Sequence, residues 1–581
     1  MFFISCESEG PAKTKRLPDQ TAKSSARDWP GDSISALFHP DRHRPRKINI
    51  NGVVKNAVAL DDPVRLRPCR EEESLQAALG MVPGSTDRPV EFRLSCGDRT
   101  EKFEVDPKSS EGWKHVSPSM CPCESGVRVS AGLDKPGAFL AHPSFEKPGP
   151  GRLVAFIIID ALRADDLGVY GRKPSPSPEL DKLARRGTVF QRAYTASPFT
   201  LTSVASIFTG LFPWQHNVMF TEKEGLVLAD SVPKLVERFH KAGYHTAAFS
   251  GTYFLMSRNG YAEGFDHFDE ACASSFFRES ADCLNRRIIP WIKRHRNQDV
   301  FLYIHYIDPH APYYPPEAFR KRHVGNMEKP FFEDVAVGEI GQFGSHRAWY
   351  QFWRSPSDYD LEYLRALYRA EIEYVDDRVG KLISELEQSR QASGNGSGKS
   401  VYLVTADHGE AFYEHEVMDH VADLHEPVMR VPLIMFGHGV PKGMTVTEQV
   451  RTIDFMPSLL EIEGLESPDQ VPGRSMVPLL EGRGGEARPA AAVHFLGMEP
   501  EYALVMWPWK IFFRPDDDEL ELYNLEDDPP EKNDLADTNM EKRKEMQGLL
   551  RALLALPDAG EEKAEPVDQK TRQRLKALGY R

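Results

Sequence analysis

The chain has 581 residues, too many for one hydrophobic core, which predicts at least two domains. Its formal net charge of −15 argues against nucleic acid or an anionic membrane as a partner, since both need basic surface. The charge disfavours an anionic substrate only weakly, because a bound metal reverses the local field. A hydrophobic content of 40% with no run as long as a membrane-spanning helix is typical of a soluble globular protein.

Residues 1–29 are polar and predict a disordered tail. Within it, Phe3-Ile4-Ser5-Cys6 is similar to the end of a lipoprotein signal, which would place the protein in the periplasm or on a lipid anchor in the cell envelope. The alternative is a cytoplasmic protein with an ordinary tail. Seven cysteines leave the redox compartment open, and Cys272 and Cys283 are either a pair in an exported protein or free thiols.

Residues 30–150 show short alternating runs at 47–53, 90–94, 102–105 and 127–129. Alternation with a period of two predicts an antiparallel β-sandwich. Its role is that of a packing or spacer domain or, alternatively, of a sugar-binding module. A hinge at Pro148-Gly149-Pro150-Gly151 marks its end.

Residues 151–495 alternate between strand and helix patterns, which predicts an α/β domain with a mainly parallel sheet sandwiched by helices. The predicted strands are 153–159, 246–249, 300–305, 401–405 and 433–436, and the predicted helices are 178–186, 201–208, 231–242, 280–295, 359–387 and 455–463. Residues 496–581 predict a small antiparallel subdomain followed by a helical tail.

Polar side chains follow two of the buried strands. Asp160 ends the run 153–159, Asp407 and His408 follow 401–405, and Thr200 precedes the helix 201–208. The carboxyl ends of the strands of an open α/β sheet face one crevice, so these groups are expected to form a single-metal hydrolase site. The structural alternatives are helix caps at Asp160 and Thr200.

These residues belong to a series of motifs that resembles the sulfatase family of the alkaline phosphatase superfamily, from about residue 152 to the C-terminus. The motifs are Asp160-Ala161-Leu162-Arg163-Ala164-Asp165, Leu180-Asp181-Lys182-Leu183-Ala184 with Gly187, Thr209-Gly210-Leu211-Phe212-Pro213, Ala242-Gly243-Tyr244-His245-Thr246, Gly264-Phe265-Asp266, His305-Tyr306-Ile307-Asp308-Pro309-His310, Asp407-His408-Gly409-Glu410, Arg430-Val431-Pro432-Leu433-Ile434 and Leu522-Tyr523-Asn524-Leu525. The resemblance implies an alkaline-phosphatase-like fold.

The resemblance also implies one divalent metal, held by Asp160, Asp407, His408 and the hydroxyl of Thr200. Sulfatases usually carry a second aspartate where Ala161 stands, and most carry asparagine where His408 stands. With one carboxylate fewer and one imidazole more, the set suits Mn²⁺ or Zn²⁺ better than Ca²⁺.

Thr200 stands where sulfatases carry the cysteine or serine that is oxidised to formylglycine. Threonine cannot give that aldehyde, and Thr202 and Val204 replace the proline and arginine of the maturation motif. A threonine activated by a cation is still a competent nucleophile. The chain therefore resembles the threonine-using phosphodiesterases and phosphotransferases of the superfamily, and its ligand set resembles that of phosphonate monoester hydrolases, which keep cysteine.

The substrate side of the site is implied by the same resemblance. His310 is expected to protonate the leaving group or to contact the ester oxygen, and His420 stands where sulfatases place a lysine against the substrate. Where sulfatases carry Gly-Lys-Trp-His, this chain has Ser250-Gly251-Thr252-Tyr253, and Thr252 and Tyr253 offer only neutral hydrogen bonds, which favours a monoanionic ester. An alternative interpretation of His305, Asp308 and His310 is a second metal site. A further polar cluster is interpreted mostly as a solvated loop; it consists of His415, Asp419, Asp423 and His425.

The sequence therefore predicts a metal-dependent hydrolase of a phosphodiester, phosphonate ester or related ester, acting through Thr200 on a small-molecule or glycan- or lipid-linked substrate. The alternatives are a sulfatase without formylglycine, a phosphotransferase and a non-catalytic glycan-binding relative. An enzyme of the lipoteichoic-acid-synthase type is disfavoured, because such enzymes carry several membrane spans.

Overall fold

The computed structural model describes residues 46–559, with the exceptions of 61–62, 67–68, 71–72, 83–84, 87, 109–111, 133–136, 147–150, 219–227, 230, 275–279, 331–355, 392–398, 421, 470, 496–499 and 516–518. The tail at 1–29 with Cys6, the residues Pro148, Gly149 and Pro150 of the hinge, and the end of the helical tail lie outside the described residues. No described helix is both long enough and apolar enough to cross a bilayer.

Among the described residues, strands come first along the chain, and the first α-helix begins at Pro178. The strands are β1 (Arg46–Ile50), β2 (Val53–Ala59), β3 (Val64–Arg65), β4 (Ser74–Met81), β5 (Val90–Cys96), β6 (Arg99–Val105), β7 (Trp113–Val116), β8 (Arg128–Ala131), β9 (Ala138–Glu146), β10 (Leu153–Ile159), β11 (Gly187–Tyr194), β12 (His245–Ser250), β13 (His267–Asp269), β14 (Val300–Tyr306), β15 (Ser400–Thr405), β16 (Ala411–Phe412), β17 (Met418–Asp419), β18 (Arg430–Gly437), β19 (Met444–Arg451), β20 (Ala490–His494), β21 (Glu501–Met506), β22 (Trp509–Arg514) and β23 (Glu519–Asn524). The helices are α1 (Pro178–Arg185), α2 (Thr200–Thr209), α3 (Pro213–His216), α4 (Leu235–Lys241), α5 (Ser280–Arg294), α6 (Glu317–Val324), α7 (Asp358–Gln391), α8 (Glu426–Met429), α9 (Phe455–Ile462), α10 (Val477–Leu480) and α11 (Met540–Leu554).

One large sheet organises the chain, in the order β19-β11-β18-β15-β10-β14-β12-β13-β2-β9-β4-β7, with β1 beside β2. Its centre is parallel: β10 pairs with β14 and β15, and β12 pairs with β13 and β14. Two groups of helices flank it: α1, α5 and α6 pack against α7, and α2, α4 and α9 pack against one another. This confirms the predicted α/β fold.

The N-terminal strands continue the same sheet. Strand β2 pairs antiparallel with β13, with Lys55 opposite His267 and Val53 opposite Asp269. A second sheet, β3-β8-β5-β6, shares a hydrophobic core with part of this extension. The predicted strand at 47–53 is two strands, because Asn51 (φ 52°) and Gly52 (φ 78°) form a turn between β1 and β2. The sandwich thus shares one of its sheets with the α/β part.

Three disulfides join the described cysteines: Cys69–Cys121, Cys96–Cys123 and Cys272–Cys283. The first two fasten the N-terminal sheets, and the third joins the segment after β13 to α5. Of the two interpretations of Cys272 and Cys283, the structure has the pair rather than the free thiols.

The C-terminal sheet is antiparallel, in the order β20-β21-β22-β23, and α11 packs against it. Its first strand begins at Ala490, a few residues before the predicted boundary at 496. The core under this sheet includes Ile453 and Phe212 of the α/β part, so the subdomain is built onto it.

Candidate active site

Both predicted metal carboxylates lie at one end of the central strands. Asp160 directly follows β10 and Asp407 follows β15, and these neighbouring parallel strands are in register up to Ile158 opposite Thr405. Asp160, Asp407 and His408 are fully buried, and one ligand atom from each lies within 4.8 Å of the others. The register of two adjacent strands therefore brings the three side chains together.

His408 is oriented as a metal ligand. Its Nδ1 donates a hydrogen bond to the Gly409 carbonyl at 2.9 Å, so the lone pair of Nε2 faces the carboxylates. Burial lowers the pKa of His408 well below its usual value, which keeps the ring neutral. From this Nε2, Thr200 Oγ1 is 3.3 Å away, Asp160 Oδ1 is 3.4 Å and Asp407 Oδ2 is 3.5 Å.

These three separations fit ligands that share one metal ion. Metal bonds of about 2.0–2.2 Å in a tetrahedron separate the ligands by about 3.3–3.6 Å. The two oxygens involved, Asp160 Oδ1 and Asp407 Oδ2, are buried and have no hydrogen-bond partner among the described residues. Burial and the nearby Asp407 raise the pKa of Asp160 well above its usual value. A divalent cation bound by these groups would remove that repulsion, so the residues fit such an ion.

Thr200 reaches the site because α2 begins with it. Phe199, the residue before the helix, is extended (φ −118°, ψ 124°), and Thr200 is buried. One turn further along α2, Ser203 Oγ donates a hydrogen bond to the Asp407 carbonyl at 2.7 Å. The same helix therefore positions Thr200 and fixes the backbone of a carboxylate.

Ala161, which stands in place of a second aspartate, has a left-handed backbone (φ 55°) and is fully buried. Its amide approaches Asp407 Oδ1 at 3.4 Å, and its carbonyl accepts a hydrogen bond from Tyr368 at 2.7 Å. A left-handed conformation costs a non-glycine residue about 1–2 kcal/mol. The turn after β10 is therefore held by its neighbours in a strained conformation.

His305 is a site residue that the sequence interpretation placed elsewhere. Its Nε2 lies 3.0 Å from Asp160 Oδ2 and its Nδ1 lies 2.9 Å from the Tyr303 hydroxyl. Burial lowers the pKa of His305 to about 4, so the neutral ring donates to Asp160 and accepts from Tyr303. This hydrogen bond leaves Asp160 Oδ1 directed at His408. The signal in the sequence was a histidine at the end of an otherwise apolar strand.

The second metal site considered for His305, Asp308 and His310 is not among the described clusters of ligand atoms. His305 faces Asp160, whereas Asp308 accepts a hydrogen bond from the Ala281 amide at 3.0 Å. His310 faces a third direction, toward the ring of His420.

His310 and His420 converge on the metal-ligand group from one side. The ring of His420 stacks on His408 with centroids 4.1 Å apart, and the ring of His310 meets His420 edge-on at 4.9 Å. The Nε2 atoms of His310 and His420 are buried and lack a hydrogen-bond partner among the described residues. Two imidazole nitrogens are thus available to a ligand beside the carboxylates.

Two carboxylates hold the other nitrogen of His420. Its Nδ1 lies 3.0 Å from Glu410 Oε1 and 2.7 Å from Asp419 Oδ1. Although burial opposes protonation, Asp419 and Glu410 raise the pKa of His420 well above its usual value. Glu410, Asp419 and His420 also form a second group of clustered ligand atoms, but its members already bind one another.

Thr252 and Tyr253 follow β12, whose last residue Ser250 is in register with His305. Thr252 is buried, and its Oγ1 accepts a hydrogen bond from the Phe254 amide at 3.4 Å. The ring of Tyr253 is partly buried, and the guanidinium of Arg258 lies over it in a cation–π contact, 4.3 Å from the ring centroid. Both residues thus lie beyond the strand end next to the one that carries His305.

The cluster interpreted as a solvated loop is only partly solvated, since Asp423 is buried and the other three residues are half-buried. Asp423 is buried and contacts His425 Nδ1 at 2.5 Å, and the rings of His415 and His425 stack at 3.5 Å. His415 Nε2 donates to the Pro530 carbonyl of the C-terminal subdomain. The packing partner lies more than 100 residues away in the chain, so no local pattern could reveal it.

Comparison with known proteins agrees with this geometry. Residues 152–465 match the family model described as Sulfatase, and residues 413–556 match the model described as N-sulphoglucosamine sulphohydrolase, C-terminal. An arylsulfatase of Clostridium perfringens is 25% identical over 474 residues, which cover 69% of this chain and 93% of that protein.

Two solved structures share the fold. One is a protein in complex with its substrate D-glucosamine-2-N,6-O-disulfate, with a TM-score of 0.57 and 19% identity over 72% of this chain and 100% of that one. The other is the phosphonate monoester hydrolase of Agrobacterium radiobacter, with a TM-score of 0.56 and 19% identity over 70% of this chain and 96% of that one. Since the Sulfatase model matches more than half of its residues, the chain belongs to the sulfatase family and is a hydrolase of sulfuric or phosphoric esters.

Proposed function

We propose that this enzyme hydrolyses a monoanionic phosphorus ester, either a phosphodiester or a phosphonate ester, with Thr200 as the nucleophile. The observation that carries the proposal is the position of Thr200 Oγ1, 3.3 Å from His408 Nε2 and beside two carboxylate oxygens that have no hydrogen-bond partner in the described part of the chain. A hydroxyl in that position shares the geometry of the candidate metal ligands and can become a nucleophile.

The proposed metal is Mn²⁺ or Zn²⁺, held by Asp160, Asp407, His408 and Thr200, because two carboxylates, an imidazole and a hydroxyl suit such ions better than Ca²⁺. When bound, the ion would lower the pKa of the Thr200 hydroxyl and neutralise charge that develops on the ester.

Thr200, His310 and His420 are each proposed to have one role in the reaction. Thr200 loses its hydroxyl proton to water, its Oγ1 bonds to phosphorus, and the bond from phosphorus to the alcohol oxygen breaks as the imidazolium of His310 gives that oxygen a proton from Nε2. Water then cleaves the Thr200 ester and restores the hydroxyl. His420 Nε2, buried beside His310, contacts a non-bridging oxygen of the substrate.

The choice of a monoanionic ester is supported by Thr252 and Tyr253, which lie beyond the end of β12. Thr252 and Tyr253 can give neutral hydrogen bonds but no positive charge, and a dianionic ester end would lack the charges that balance it there. The alcohol part is proposed to be a glycan or another polyol, because a protein of the same fold was solved with a sulfated glucosamine.

A sulfuric ester is the second candidate, favoured by the match of residues 152–465 to the sulfatase model. In that case Thr200 would have to act without the aldehyde that sulfatases use. A sulfate monoester is also monoanionic, so charge alone does not separate the two substrates.

The test compares initial rates on bis-p-nitrophenyl phosphate, p-nitrophenyl phenylphosphonate and p-nitrophenyl sulfate after chelation and readdition of Mn²⁺ or Zn²⁺. We expect metal-dependent turnover with a preference for the diester or the phosphonate. We expect Thr200→Ala to lower kcat by about 10³-fold or more and Thr200→Ser to keep part of it, since serine retains the hydroxyl.

Thr209→Ala is the matched control, because it removes a buried hydroxyl from the other end of α2, where it donates to the Ala205 carbonyl. If the enzyme prefers p-nitrophenyl sulfate, the proposed substrate changes from a phosphorus ester to a sulfuric ester. Unchanged rates in Thr200→Ala would contradict the nucleophile assignment, whichever ester is preferred.

A further inference from the structure

We propose that Glu410 is a positioning residue that aims His420 at the substrate and ties it to the loop that carries His310. The inference rests on the proposed contact between His420 and the substrate. It gives a role to a fully buried carboxylate that is neither one of the proposed metal ligands nor a group that touches the ester.

The first contact fixes which nitrogen of His420 faces the site. Glu410 Oε1 lies 3.0 Å from Nδ1, and the ring is stacked on His408. With Nδ1 held and the ring plane fixed by stacking, Nε2 is the nitrogen left for a ligand; it is buried and has no hydrogen-bond partner among the described residues. A ring turned over about its Cβ–Cγ bond would remove the donor from the substrate.

The second contact reaches the loop of the proposed general acid. The other oxygen, Glu410 Oε2, accepts a hydrogen bond from the Tyr313 hydroxyl at 3.0 Å. Tyr313 lies three residues after His310 and packs against the rings of Tyr368 and Phe412. One carboxylate therefore joins the two loops that supply the imidazoles His310 and His420.

The backbone of Glu410 is itself fixed. Its carbonyl accepts a hydrogen bond at 3.1 Å from the buried guanidinium of Arg163, and its amide donates to the Pro427 carbonyl at 3.3 Å. The glutamate follows His408 by two residues, so its carboxylate is held relative to the metal-ligand group. Asp419, the other partner of His420 Nδ1, has a side chain that is 35% exposed, and its Oδ1 also accepts a hydrogen bond from the His420 amide at 2.5 Å.

The test is a double-mutant cycle between Glu410→Gln and His420→Ala, with kcat/KM on the preferred ester and the Kd for orthovanadate as readouts. Glutamine keeps the size of the side chain but weakens the two hydrogen bonds. We expect Glu410→Gln alone to lower kcat/KM by about 10-fold or more. In the His420→Ala background the same change should alter kcat/KM by less than about 2-fold, because the residue that it positions is gone.

Two further readouts separate positioning from a general structural role. The bound metal per chain and the melting temperature of Glu410→Gln should match the wild type. Glu416→Gln is the matched control, since Glu416 is an exposed glutamate on the same loop. Equal losses of activity from Glu410→Gln in both backgrounds, or a loss of bound metal, would overturn the proposal.

If Glu410→Gln does not fold, a cycle between Tyr313→Phe and His420→Ala answers the same question. Among the described contacts these two side chains meet through Glu410, so coupling between them supports the proposal and independent effects overturn it. The orthovanadate readout needs no turnover. A preference for sulfate would therefore remove the phosphorus-ester proposal and leave this one testable.

Discussion

At the scale of single residues, the orientation of three histidines determines what the site can bind. His408 Nδ1 is held by the Gly409 carbonyl, His420 Nδ1 by Glu410, and His310 Nδ1 by the Ala311 carbonyl at 2.5 Å. In each ring it is the Nε2 atom that faces the site. Three unrelated partners give the same orientation, and the side chains are arranged for a ligand before one arrives.

The role of His310 as general acid can be measured through the leaving group. His310→Ala should lower kcat by about 10²–10⁴-fold on an alkyl ester, whose alcohol needs a proton to leave. On p-nitrophenyl esters the loss should be much smaller, because p-nitrophenolate leaves without one. The control is His323→Ala, which changes a histidine of α6 that pairs with Glu373 of α7. Equal losses on both kinds of ester would assign His310 to binding instead.

The contact between His305 and Asp160 predicts an effect on metal affinity. His305→Ala removes the donor at 3.0 Å from Asp160 Oδ2 and should weaken metal binding by about 10–100-fold. His305→Gln can still donate to that oxygen and should recover part of the affinity. Competition with a chromogenic chelator measures both variants, and equal affinities for His305→Ala and the wild type would contradict this role.

At the scale of elements, the long helix α7 supports the start of α1. Asp376 of α7 accepts hydrogen bonds from the amides of Glu179 and Leu180, at 2.9 and 2.7 Å. The residue before α1, Ser177, gives no side-chain cap to these amides. A side chain almost 200 residues away in sequence therefore caps this helix.

Asp376 gives the stability a dependence on pH. Burial raises the pKa of Asp376 to about 7, so the folded state holds this proton more tightly than the unfolded state. The stabilisation is complete below about pH 4 and is lost as the pH rises through about 7. Denaturation at several pH values should show the advantage of wild type over Asp376→Asn falling by about 2–4 kcal/mol across this range. An advantage that grows with pH would contradict the raised pKa.

The regular elements near the site were predictable because their patterns are strong. Asp160 and Asp407 follow strands β10 and β15, and the predicted bounds of both strands agree with the structure to within one residue. Continuous apolar runs such as these are typical of buried parallel strands. Strands β11 and β19 were missed, because Gln191 and Arg192 in β11 and Glu448 in β19 interrupt their apolar patterns. Helix α4 begins at Leu235 rather than 231, because Lys234 is extended.

The individual ligands of the site were predictable from motifs, but their mutual support was not. Asp160, Thr200, Asp407 and His408 each belong to a local motif. The contacts of His305 with Asp160 and of Glu410 with His420 and Tyr313 depend on how separate segments pack. Packing between distant segments leaves no period in a single sequence, so these contacts required the structure.

At the scale of the whole molecule, the three disulfides bear on where the protein works. We propose that it is exported, because structural disulfides persist in oxidising compartments. Non-reducing peptide mapping should recover the pairs Cys69–Cys121, Cys96–Cys123 and Cys272–Cys283 from protein isolated under alkylating conditions. Recovery of the six residues as free thiols would contradict both the pairing and export.

The disulfides Cys69–Cys121 and Cys272–Cys283 should differ in what they contribute to stability. Replacing Cys69 and Cys121 by serine should lower the free energy of unfolding by about 2–5 kcal/mol. Replacing Cys272 and Cys283 should cost roughly 1 kcal/mol less, because their sequence separation is 11 rather than 52 and the entropy of loop closure grows with length.

The loop that carries His420 bears on how this enzyme could be re-engineered. Tyr413, His415, Glu416 and Asp419 all have positive φ angles, and each left-handed residue costs about 1–2 kcal/mol. Arg163 holds the start of this loop through Glu414, and the Pro530 carbonyl holds it through His415. The β2–β13 pairing likewise joins the N-terminal strands to the central sheet. The residues of the site therefore cannot be moved into another scaffold as one short segment. A design that reuses them would also need the N-terminal strands and the C-terminal subdomain, together with the strands that hold the ligands.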